Sequence, residues 1–493
     1  MILYNSHITE KIFENLKILG SEASITTIVW SSIVGMDLAE DILTIARNLS
    51  QYGIKKGDRV ALLVKDNILF TQIIVSSMLC GGTIVLLDPA MGRQMMREKI
   101  IAAWVKYIFI EGIYYDALFL SWFWLGDLGV EYIIHGISFL WFSYENIRRL
   151  TSKNNIDFIY EFIEDTAECM LVFTGGTTGN PKWVIHTVWS LLATAKNIWW
   201  LIHDSHIFYA DMPHFLLLGL LMWVKIIAGS QDISWSKFVK ILEKYKVDTY
   251  FSPPYRYNYA LEHSILLPKT LKNILLGSAP VHSSFLRRFE LIASHVPHII
   301  CIYGMTEVLP IATIDAREKM IKVSGWDILW YTLPCIEYIL LEKELLIKSD
   351  VHTASYLWEW VYNYIPTGDL VIVEDNMIIL QWRKKDMIIR KEYNIYPWIY
   401  EVSIMNIPRV SEVAMVGIYD EHISDEKIIL FIEMLPNSKI YSEKDILSLL
   451  SWWEHSIDSY ALPDEIFFLD LPRKWRQKKI DKQELKNIYK KIQ

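Results

Sequence analysis

Apolar positions along the first part of the chain alternate between helical spacing and short continuous runs. One helical face is outlined by apolar residues three or four positions apart: Leu38, Ile42, Leu43, Ala46 and Leu49. The turn "YGIKKGD" then leads into the apolar run "RVALLV", and a second helix-like stretch, 68–79, leads into "TIVLL". Helices that alternate with buried strands predict βαβ units and a mostly parallel, doubly wound sheet.

The same alternation returns between residues 169 and 305. The pattern predicts a helix near 188–202 and four apolar strands: "CMLVF" (169–173), "VDTYFS" (247–252), "KNILLG" (272–277) and "HIICIY" (298–303). Ligands of such sheets bind at the carboxyl ends of the strands, so we expect a site beside the loops that follow them.

Beyond about residue 322 the pattern changes to shorter strands with turns, as in "IEYILLEKELLIKSD". A charged stretch, "RKKDMIIRK" (383–391), precedes a final block with the strands "EVAMVGI" and "KIILFIEML". That block also contains a helix that opens at Ser442, with Asp445 three residues on as the partner of a capping box. We therefore predict a large domain, 1–382, and a small α+β domain, 383–493.

Composition and charge restrict the class of protein. With 493 residues, 52% hydrophobic and 22% charged, the chain is long enough for two or three globular domains. A net charge of −8 argues against nucleic acid or an anionic lipid surface as a partner. The four cysteines are widely spaced without a CxxC pair, which argues against a disulfide framework or a zinc cluster. Because neither a signal-peptide pattern nor a membrane-spanning run is evident, we expect a soluble, cytoplasmic protein.

A loop of small residues follows the strand at 169–173, within "LVFTGGTTGNPKWVIHT" (171–187). Its glycines let backbone N–H groups approach an anion, its hydroxyls add donors, and Lys182 supplies a positive charge. The GxxxxGK[ST] pattern of a Walker loop is absent, and Pro181 precedes the lysine. Alone, the stretch fits an ordinary surface loop as well as a phosphate-binding loop.

Further motifs follow this loop in a recognisable order. They are "GSAP" (277–280), "YGMTE" (303–307), "PTGDL" (366–370), "RKKDMIIRKEYNIYP" (383–397) and "KKID" (478–481). Together with "FTGGTTGNPKW" they resemble the adenylate-forming (AMP-binding) superfamily, and in it the acyl-CoA synthetase or fatty-acid–CoA ligase type. The resemblance implies an α/β fold with a large N-terminal domain of doubly wound sheets and a small barrel-like β part. It also implies a small, mobile α+β C-terminal domain.

The resemblance implies ATP, Mg²⁺ and coenzyme A as ligands, and a role for each motif residue. The phosphate loop and the adenine turn would comprise Thr174, Gly175, Gly176, Thr177, Thr178, Gly179, Gly277, Ser278, Ala279 and Pro280. Tyr303 and Gly304 would lie against adenine, and Asp369 and Arg383 would bind ribose or phosphate. The catalytic groups would be Lys182, Thr306, Glu307 and Lys479. Among these, Glu307 is suited to ligate Mg²⁺, and Lys479 would stabilise the charge that develops during adenylation.

Two half-reactions are implied. A carboxylate and ATP give acyl-AMP and pyrophosphate, and a thiol, usually that of coenzyme A, then displaces AMP. The small domain would rotate between them about a hinge near Lys384 and Lys385. "DPAMGR" and "YGMTEVLPIA" are also similar to a branch with β-lactone synthetases, in which ring closure replaces thioester formation. "NIYP" is more similar to ordinary acyl-CoA ligases, which we favour.

The region "DMPHFLLLGLLMW" (211–223) bears on the acid that is activated. It is apolar after His214, so a substrate ammonium would lack a partner, and an apolar acid such as a fatty acid is favoured. The candidate pocket residues are His214, Phe215 and Leu218, together with Met212 and Leu217.

The chain departs from the family pattern mainly at glycines. It has 20 Trp and only 21 Gly, and the positions where the family has glycine hold Trp183, Trp382, Glu392, Lys478, Trp330 and Trp398. Ile399 stands where an acid is usual. A bulky residue gives up the positive φ and the close approach that glycine permits, so a catalytically impaired, nucleotide-binding homologue is the alternative hypothesis. All the charged candidates persist, which favours an active enzyme.

Overall fold

The structure is a computed structural model that includes side chains. It describes residues 7–27, 32–64, 67–87, 93–111, 130–135, 162–174, 182–202, 204–230, 233–279, 281, 283–321, 327–349, 355–356, 363–374, 377–383, 387–435, 441–451, 457–473 and 480–492.

Thirteen α-helices lie in this part of the chain. They are α1 (His7–Leu19), α2 (Gly35–Tyr52), α3 (Asn67–Leu79), α4 (Arg93–Ala102), α5 (Val188–Leu201), α6 (Pro213–Leu221), α7 (Trp235–Lys244), α8 (Asn258–Glu262), α9 (Ser283–Ala293), α10 (Ala316–Ile321), α11 (Pro397–Met405), α12 (Glu443–Ser451) and α13 (Lys482–Ile492). The predicted helix at 38–49 is the centre of α2, which buries Leu38 and Ile42 and ends at Gly53, where φ is 113°. The predicted helices at 68–79 and 188–202 are observed as α3 and α5.

The described residues also form 25 strands. They are β1 (Ala23–Thr27), β2 (Ser32–Val34), β3 (Arg59–Leu63), β4 (Thr83–Leu86), β5 (Tyr107–Glu111), β6 (Glu131–His135), β7 (Glu168–Thr174), β8 (Lys182–Thr187), β9 (Ile207–Ala210), β10 (Lys225–Ala228), β11 (Thr249–Ser252), β12 (Asn273–Leu276), β13 (His298–Met305), β14 (Val308–Asp315), β15 (Asp327–Thr332), β16 (Ile336–Leu341), β17 (Glu344–Ser349), β18 (Ser355–Tyr356), β19 (Ile365–Glu374), β20 (Met377–Arg383), β21 (Ile388–Arg390), β22 (Tyr393–Ile395), β23 (Val410–Asp420), β24 (Asp425–Met434) and β25 (Glu465–Phe468).

Two large sheets organise the chain up to residue 383. The first has seven strands in the order β18-β8-β7-β4-β3-β5-β6, with a parallel centre closed at one edge by antiparallel β8 and β18. The second has 13 strands in the order β16-β17-β19-β20-β15-β14-β13-β12-β11-β9-β10-β1-β2. Its strands β9 to β13 are parallel, and helices pack on them, which confirms the predicted α/β architecture.

The antiparallel strands β15, β16, β17, β19 and β20 correspond to the expected barrel-like part. They continue the 13-stranded sheet rather than standing apart from it. Leu345, Ile347, Val371 and Ile378 form an apolar cluster between them. This extension brings β19 and β20 to the site described below.

The last hundred residues build a small α+β unit around β23, β24 and β25, preceded by the hairpin β21–β22. The predicted capping box of α12 is confirmed, because the Asp445 N–H donates to Oγ of Ser442 at 3.2 Å and the Ser442 N–H donates to Oδ2 of Asp445 at 3.0 Å. Apolar clusters of this unit contain only residues after 387. Residues 384–386 lie outside the described residues, and the domain boundary stays a prediction. None of the described helices has the length and apolar character needed to cross a bilayer.

Candidate active site

A cavity of about 360 Å³ lies at the carboxyl ends of the parallel strands β9, β11, β12 and β13. Its walls come from the loops after these strands, from β19, and from the hairpin β21–β22 of the small unit. The expectation that a site lies beside those loops therefore agrees with the structure.

The predicted adenine turn follows β12 directly. A Cβ atom at Gly277 would lie 3.0 Å from the ring of Phe251 and 3.2 Å from the carbonyl oxygen of Ile302, so a side chain would crowd this position. Ser278 follows with φ of 65°, and Ser278 and Ala279 line the cavity. Pro280 lies outside the described residues. A tight backbone turn that opens onto a cavity is a suitable surface for a flat ring.

The predicted adenine and ribose residues meet in one hydrogen bond. The Tyr303 hydroxyl donates to Oδ2 of Asp369 at 2.6 Å, and both residues line the cavity. Asp369 follows Gly368, which has φ of 74°, and its backbone is paired with that of Arg383 across β19 and β20. The structure thus brings Tyr303 and Asp369 into contact and sets the Arg383 backbone opposite them.

Thr306 and Glu307 form the turn between β13 and β14 and both line the cavity. A Cβ at Gly304 would lie 2.6 Å from a side-chain methyl of Leu309 and 3.2 Å from the Val308 carbonyl oxygen, so a side chain here would crowd the start of β14. The Glu307 side chain is only 6% exposed, which excludes a role as an ordinary surface acid.

The residues at this turn fit Mg²⁺ held jointly with a nucleotide. No cluster of three or more metal-ligating side chains occurs in the described part of the chain, so an all-protein metal cage is not formed there. Mg²⁺ is commonly bound through one or two carboxylates plus substrate phosphates, and a single buried carboxylate in a cavity, Glu307, meets that requirement.

The two ends of the glycine-rich loop are close together. The backbone of Thr174, at the end of β7, is paired with that of Lys182, at the start of β8. Residues 175–181, including Gly175, Gly176, Thr177, Thr178 and Gly179, lie outside the described residues. The phosphate-binding role of this loop and of Lys182 stays a prediction.

Trp183 is not part of the cavity wall. It pairs with Phe173 across β7 and β8, and the two rings make an edge contact at 5.4 Å between centroids. Its side chain is 4% exposed and belongs to an apolar cluster with Met96 and Ile100 of α4. A strand position needs no positive φ, so tryptophan here fills a core without strain in the backbone.

The predicted acyl-pocket residues line the cavity as a group. They are Met212, His214, Phe215, Leu217 and Leu218, at the start of α6. The wall is completed by apolar residues of β4, β7 and α5, among them Leu86, Met170 and Leu191. The imidazole of His214 lines the cavity and is exposed to it, and desolvation by the neighbouring protein lowers its pKa to about 4. The lowered pKa favours the uncharged imidazole at neutral pH, and the residues of α6 beside it are apolar.

Glu392 is a cavity residue that sequence reasoning noted only as a departure from glycine. It lies in the turn of the hairpin β21–β22, and the Tyr255 hydroxyl donates to its Oε2 at 3.0 Å. Burial raises the pKa of Glu392 to about 7. The positive φ in this turn, 57°, belongs to Lys391. Glycine-like backbone is thus not needed at position 392.

Two further contacts join the small unit to the rest of the chain. Nη1 of Arg288 donates to the Glu421 carbonyl at 2.8 Å, and the Asn258 amide donates to the Ile423 carbonyl. They belong to α9 and α8 on one side and to β23–β24 on the other. The small unit is therefore joined to the rest of the chain through the turn between β23 and β24 as well as through Glu392 of the hairpin β21–β22.

Lys479 and Lys478 lie outside the described residues, but the residues that flank 474–479 are described. Arg473 and Ile480 form an isolated β-bridge, and Arg473 pairs with Glu412 at 2.6 Å and Glu433 at 3.1 Å of the same unit. Neither flanking residue lines the cavity. The side chains of Arg383, Trp382, Trp330 and Trp398 are likewise not described, whereas Ile399 packs against the small unit's own core.

A buried polar cluster beside the cavity was also missed. The Tyr250 hydroxyl donates to Oδ2 of Asp211 at 2.7 Å, and burial raises the pKa of Asp211 to about 6 although Arg256 favours its ionised form. The sequence signal for Asp211 is an acidic residue directly after a buried strand, β9, which is a position where ligand-binding groups often occur.

The chain matches known proteins over most of its length. A family model described as AMP-binding enzyme matches residues 29–348. The 2-succinylbenzoate–CoA ligase of Listeria monocytogenes is 23% identical over 475 residues, covering 92% of this chain and 94% of the relative.

Two solved structures show the same fold. The amide bond synthetase McbA from Marinactinospora thermotolerans has a TM-score of 0.82 at 18% identity, covering 98% of this chain and 99% of the other. A double mutant of the o-succinylbenzoate CoA synthetase from Bacillus subtilis, bound with its product analogue, has a TM-score of 0.81 at 18% identity, covering 97% and 98%.

The same Bacillus subtilis enzyme in complex with ATP and magnesium has a TM-score of only 0.65, at 19% identity and covering 97% and 99%. The TM-score is thus higher for the product-analogue complex than for the complex with ATP and magnesium. Since the family model spans more than half of the 493 residues, the chain belongs to the AMP-binding enzyme family.

Proposed function

We propose that this protein activates an apolar carboxylic acid with ATP, forming acyl-AMP and pyrophosphate, and then transfers the acyl group to coenzyme A. The observation that carries the proposal is the single cavity, which combines the Tyr303–Asp369 pair, the Thr306–Glu307 turn and an apolar pocket. Nucleotide-binding groups on one side and an apolar pocket on the other are what joining ATP to an apolar acid requires.

In the first half-reaction a carboxylate oxygen attacks the α-phosphorus of ATP, and pyrophosphate leaves. Asp369 accepts hydrogen bonds from the ribose hydroxyls, and Tyr303 offers its ring to adenine while its hydroxyl keeps the Asp369 carboxylate oriented. Lys182 and Lys479 stabilise the phosphate charge as it develops. Glu307 would hold Mg²⁺, which when bound neutralises part of the triphosphate charge.

The acid is proposed from the wall of the pocket. The lining residues from β4, β7, β8, α5 and α6 include no lysine or arginine among the described residues, and the lysine that does line the cavity, Lys319, comes from α10 rather than from these elements. The acid in the name of the Listeria monocytogenes relative, 2-succinylbenzoate, has a second carboxylate that would need a cation in this wall. A medium- or long-chain fatty acid leaves no such charge unpaired, so we propose it as the preferred substrate.

The second half-reaction uses a different face of the small unit. The hairpin β21–β22 faces the cavity, whereas the residues flanking Lys479 do not line it. Rotation about a hinge near Lys384 and Lys385 would exchange the two faces between the half-reactions. The greater similarity to the product-analogue complex supports the assignment of this arrangement to acyl transfer.

Acid-dependent exchange of labelled pyrophosphate into ATP tests the proposal. We expect exchange with fatty acids and much weaker exchange with 2-succinylbenzoate, offered at equal concentration. Strong exchange with 2-succinylbenzoate alone would overturn the proposed acid while leaving the reaction class intact. If no acid in a broad panel supports exchange although ATP binds, the protein is a nucleotide-binding homologue without this activity.

The products identify the second step. With coenzyme A present, we expect acyl-CoA and AMP in equal amounts, detected by mass spectrometry. Formation of a β-lactone from a 3-hydroxy acid, without acyl-CoA, would instead indicate ring closure.

A further inference from the structure

Glu392 is the acidic side chain that the small unit presents to the cavity in the described structure. It lies in the turn of β21–β22, and Met387, Ile389, Asn394 and Tyr396 form the rest of that wall. The lining from the preceding part of the chain includes the Ser278–Ala279 turn and Gly304. A carboxylate of the small unit therefore lines the same cavity as the predicted nucleotide-binding residues, and its contact with Tyr255 holds it there.

We propose that Glu392 is the proton acceptor of the acyl-transfer step, taking the thiol proton of the acceptor as its sulfur attacks the acyl-adenylate. This inference rests on the proposed function. It concerns the second half-reaction, to which none of the motif residues assigns an acid–base group.

The step balances without a further reactant. The sulfur forms a bond to the acyl carbon, the bond between that carbon and the phosphate oxygen breaks, and AMP leaves with the electron pair of that bond. The thiol proton passes to an oxygen of the Glu392 carboxylate and is released to water afterwards. A carboxylate within reach of the thiol avoids the need for a free thiolate, of which little exists at neutral pH.

The surroundings of Glu392 suit this role. Burial raises its pKa to about 7, while the hydrogen bond from Tyr255 and the charge of Lys391 favour the ionised form, and the charge of Asp211 opposes it. A general base is most effective when its pKa lies near the working pH. The Tyr255 hydroxyl occupies one carboxylate oxygen, Oε2, and so orients the group.

Glu392→Gln tests the proposal because glutamine keeps the volume and can still accept the Tyr255 hydrogen bond, but cannot accept a proton. Acyl transfer is measured in single turnovers from chemically prepared acyl-AMP to coenzyme A, between pH 5.5 and 9.5. In the wild type we expect the rate to fall as pH falls through about 7, since protonated Glu392 cannot act as a base. In Glu392→Gln we expect a transfer rate about 100-fold lower at neutral pH. Because the thiolate would then be the reacting form, the acidic limb of the pH–rate profile should move toward the thiol pKa of about 8.5.

Two further variants separate a base from a mere interface contact. Tyr255→Phe removes a hydrogen bond that favours the ionised carboxylate, so we expect the wild-type acidic limb to move to higher pH. Glu443→Gln removes an exposed carboxylate of the same unit, on α12, and should change neither the transfer rate nor its pH profile.

An unchanged transfer rate in Glu392→Gln, or a lower rate with the acidic limb still near 7, would overturn the proposal. Pyrophosphate exchange is measured on the same samples. If pyrophosphate exchange occurs but acyl transfer in Glu392→Gln does not change as predicted, only the role of Glu392 is refuted. If the wild-type protein shows no pyrophosphate exchange, the proposed function itself is refuted.

Discussion

Trp183 shows how a departure from a motif can be harmless at the residue scale. The sequence places it directly after Lys182 and so next to the phosphate loop. In the strand, however, successive side chains point to opposite faces, and Trp183 enters the core against Phe173 and α4. The same alternation could have been read from "KWVIHT", but which face is buried depends on packing that a single sequence does not reveal.

Glycine at position 183 should therefore destabilise the protein rather than repair its activity. Trp183→Gly leaves a large cavity, and we expect it to lower the free energy of unfolding by at least about 3 kcal/mol, measured by urea denaturation. Trp104→Gly is the matched control, since Trp104 is 65% exposed with φ of 49° and its replacement should cost little or stabilise. Equal stability losses in the two variants would contradict the core assignment of Trp183.

At the scale of elements, local sequence patterns predicted the strands and helices correctly. They did not predict that the hairpin β21–β22 lines the cavity. The strands at 247–252, 272–277 and 298–303 and the capping box of α12 correspond to observed elements, because each signal lies within a few residues of sequence. The contact of Glu392 with Tyr255 could not be predicted in this way. It depends on how the hairpin β21–β22 docks on a segment 137 residues away in the chain.

This docking can be weakened at a distance from the cavity. Arg288→Ala removes the hydrogen bond to the Glu421 carbonyl, which should cost the docked arrangement about 1 kcal/mol and slow acyl transfer about fivefold. Pyrophosphate exchange should not fall, because adenylation uses another orientation of the small unit.

Arg287→Ala serves as the matched control, since Arg287 is exposed beside Arg288 on α9. If Arg288→Ala slows both half-reactions equally, or if Arg287→Ala has the same effect, the contact does not hold the acyl-transfer arrangement.

On the scale of the whole molecule, we propose that one cavity serves both half-reactions. In the proposed reaction, the residues before 383 that line the cavity would supply the nucleotide groups and the apolar pocket. The small unit would supply Lys479 for adenylation and the hairpin with Glu392 for transfer. The candidate residues before position 383 could be predicted because each belongs to a short sequence motif. The role of Glu392 could not, because it depends on which face of the small unit is turned toward the cavity.

The most direct test of this central claim compares the two half-reactions in Lys479→Ala. We predict that pyrophosphate exchange with a fatty acid falls about 100-fold or more, because Lys479 stabilises charge only during adenylation. Single-turnover transfer from supplied acyl-AMP to coenzyme A should remain close to the wild-type rate. Loss of both half-reactions to the same extent, or full exchange activity in the variant, would contradict the assignment of the two faces to two steps.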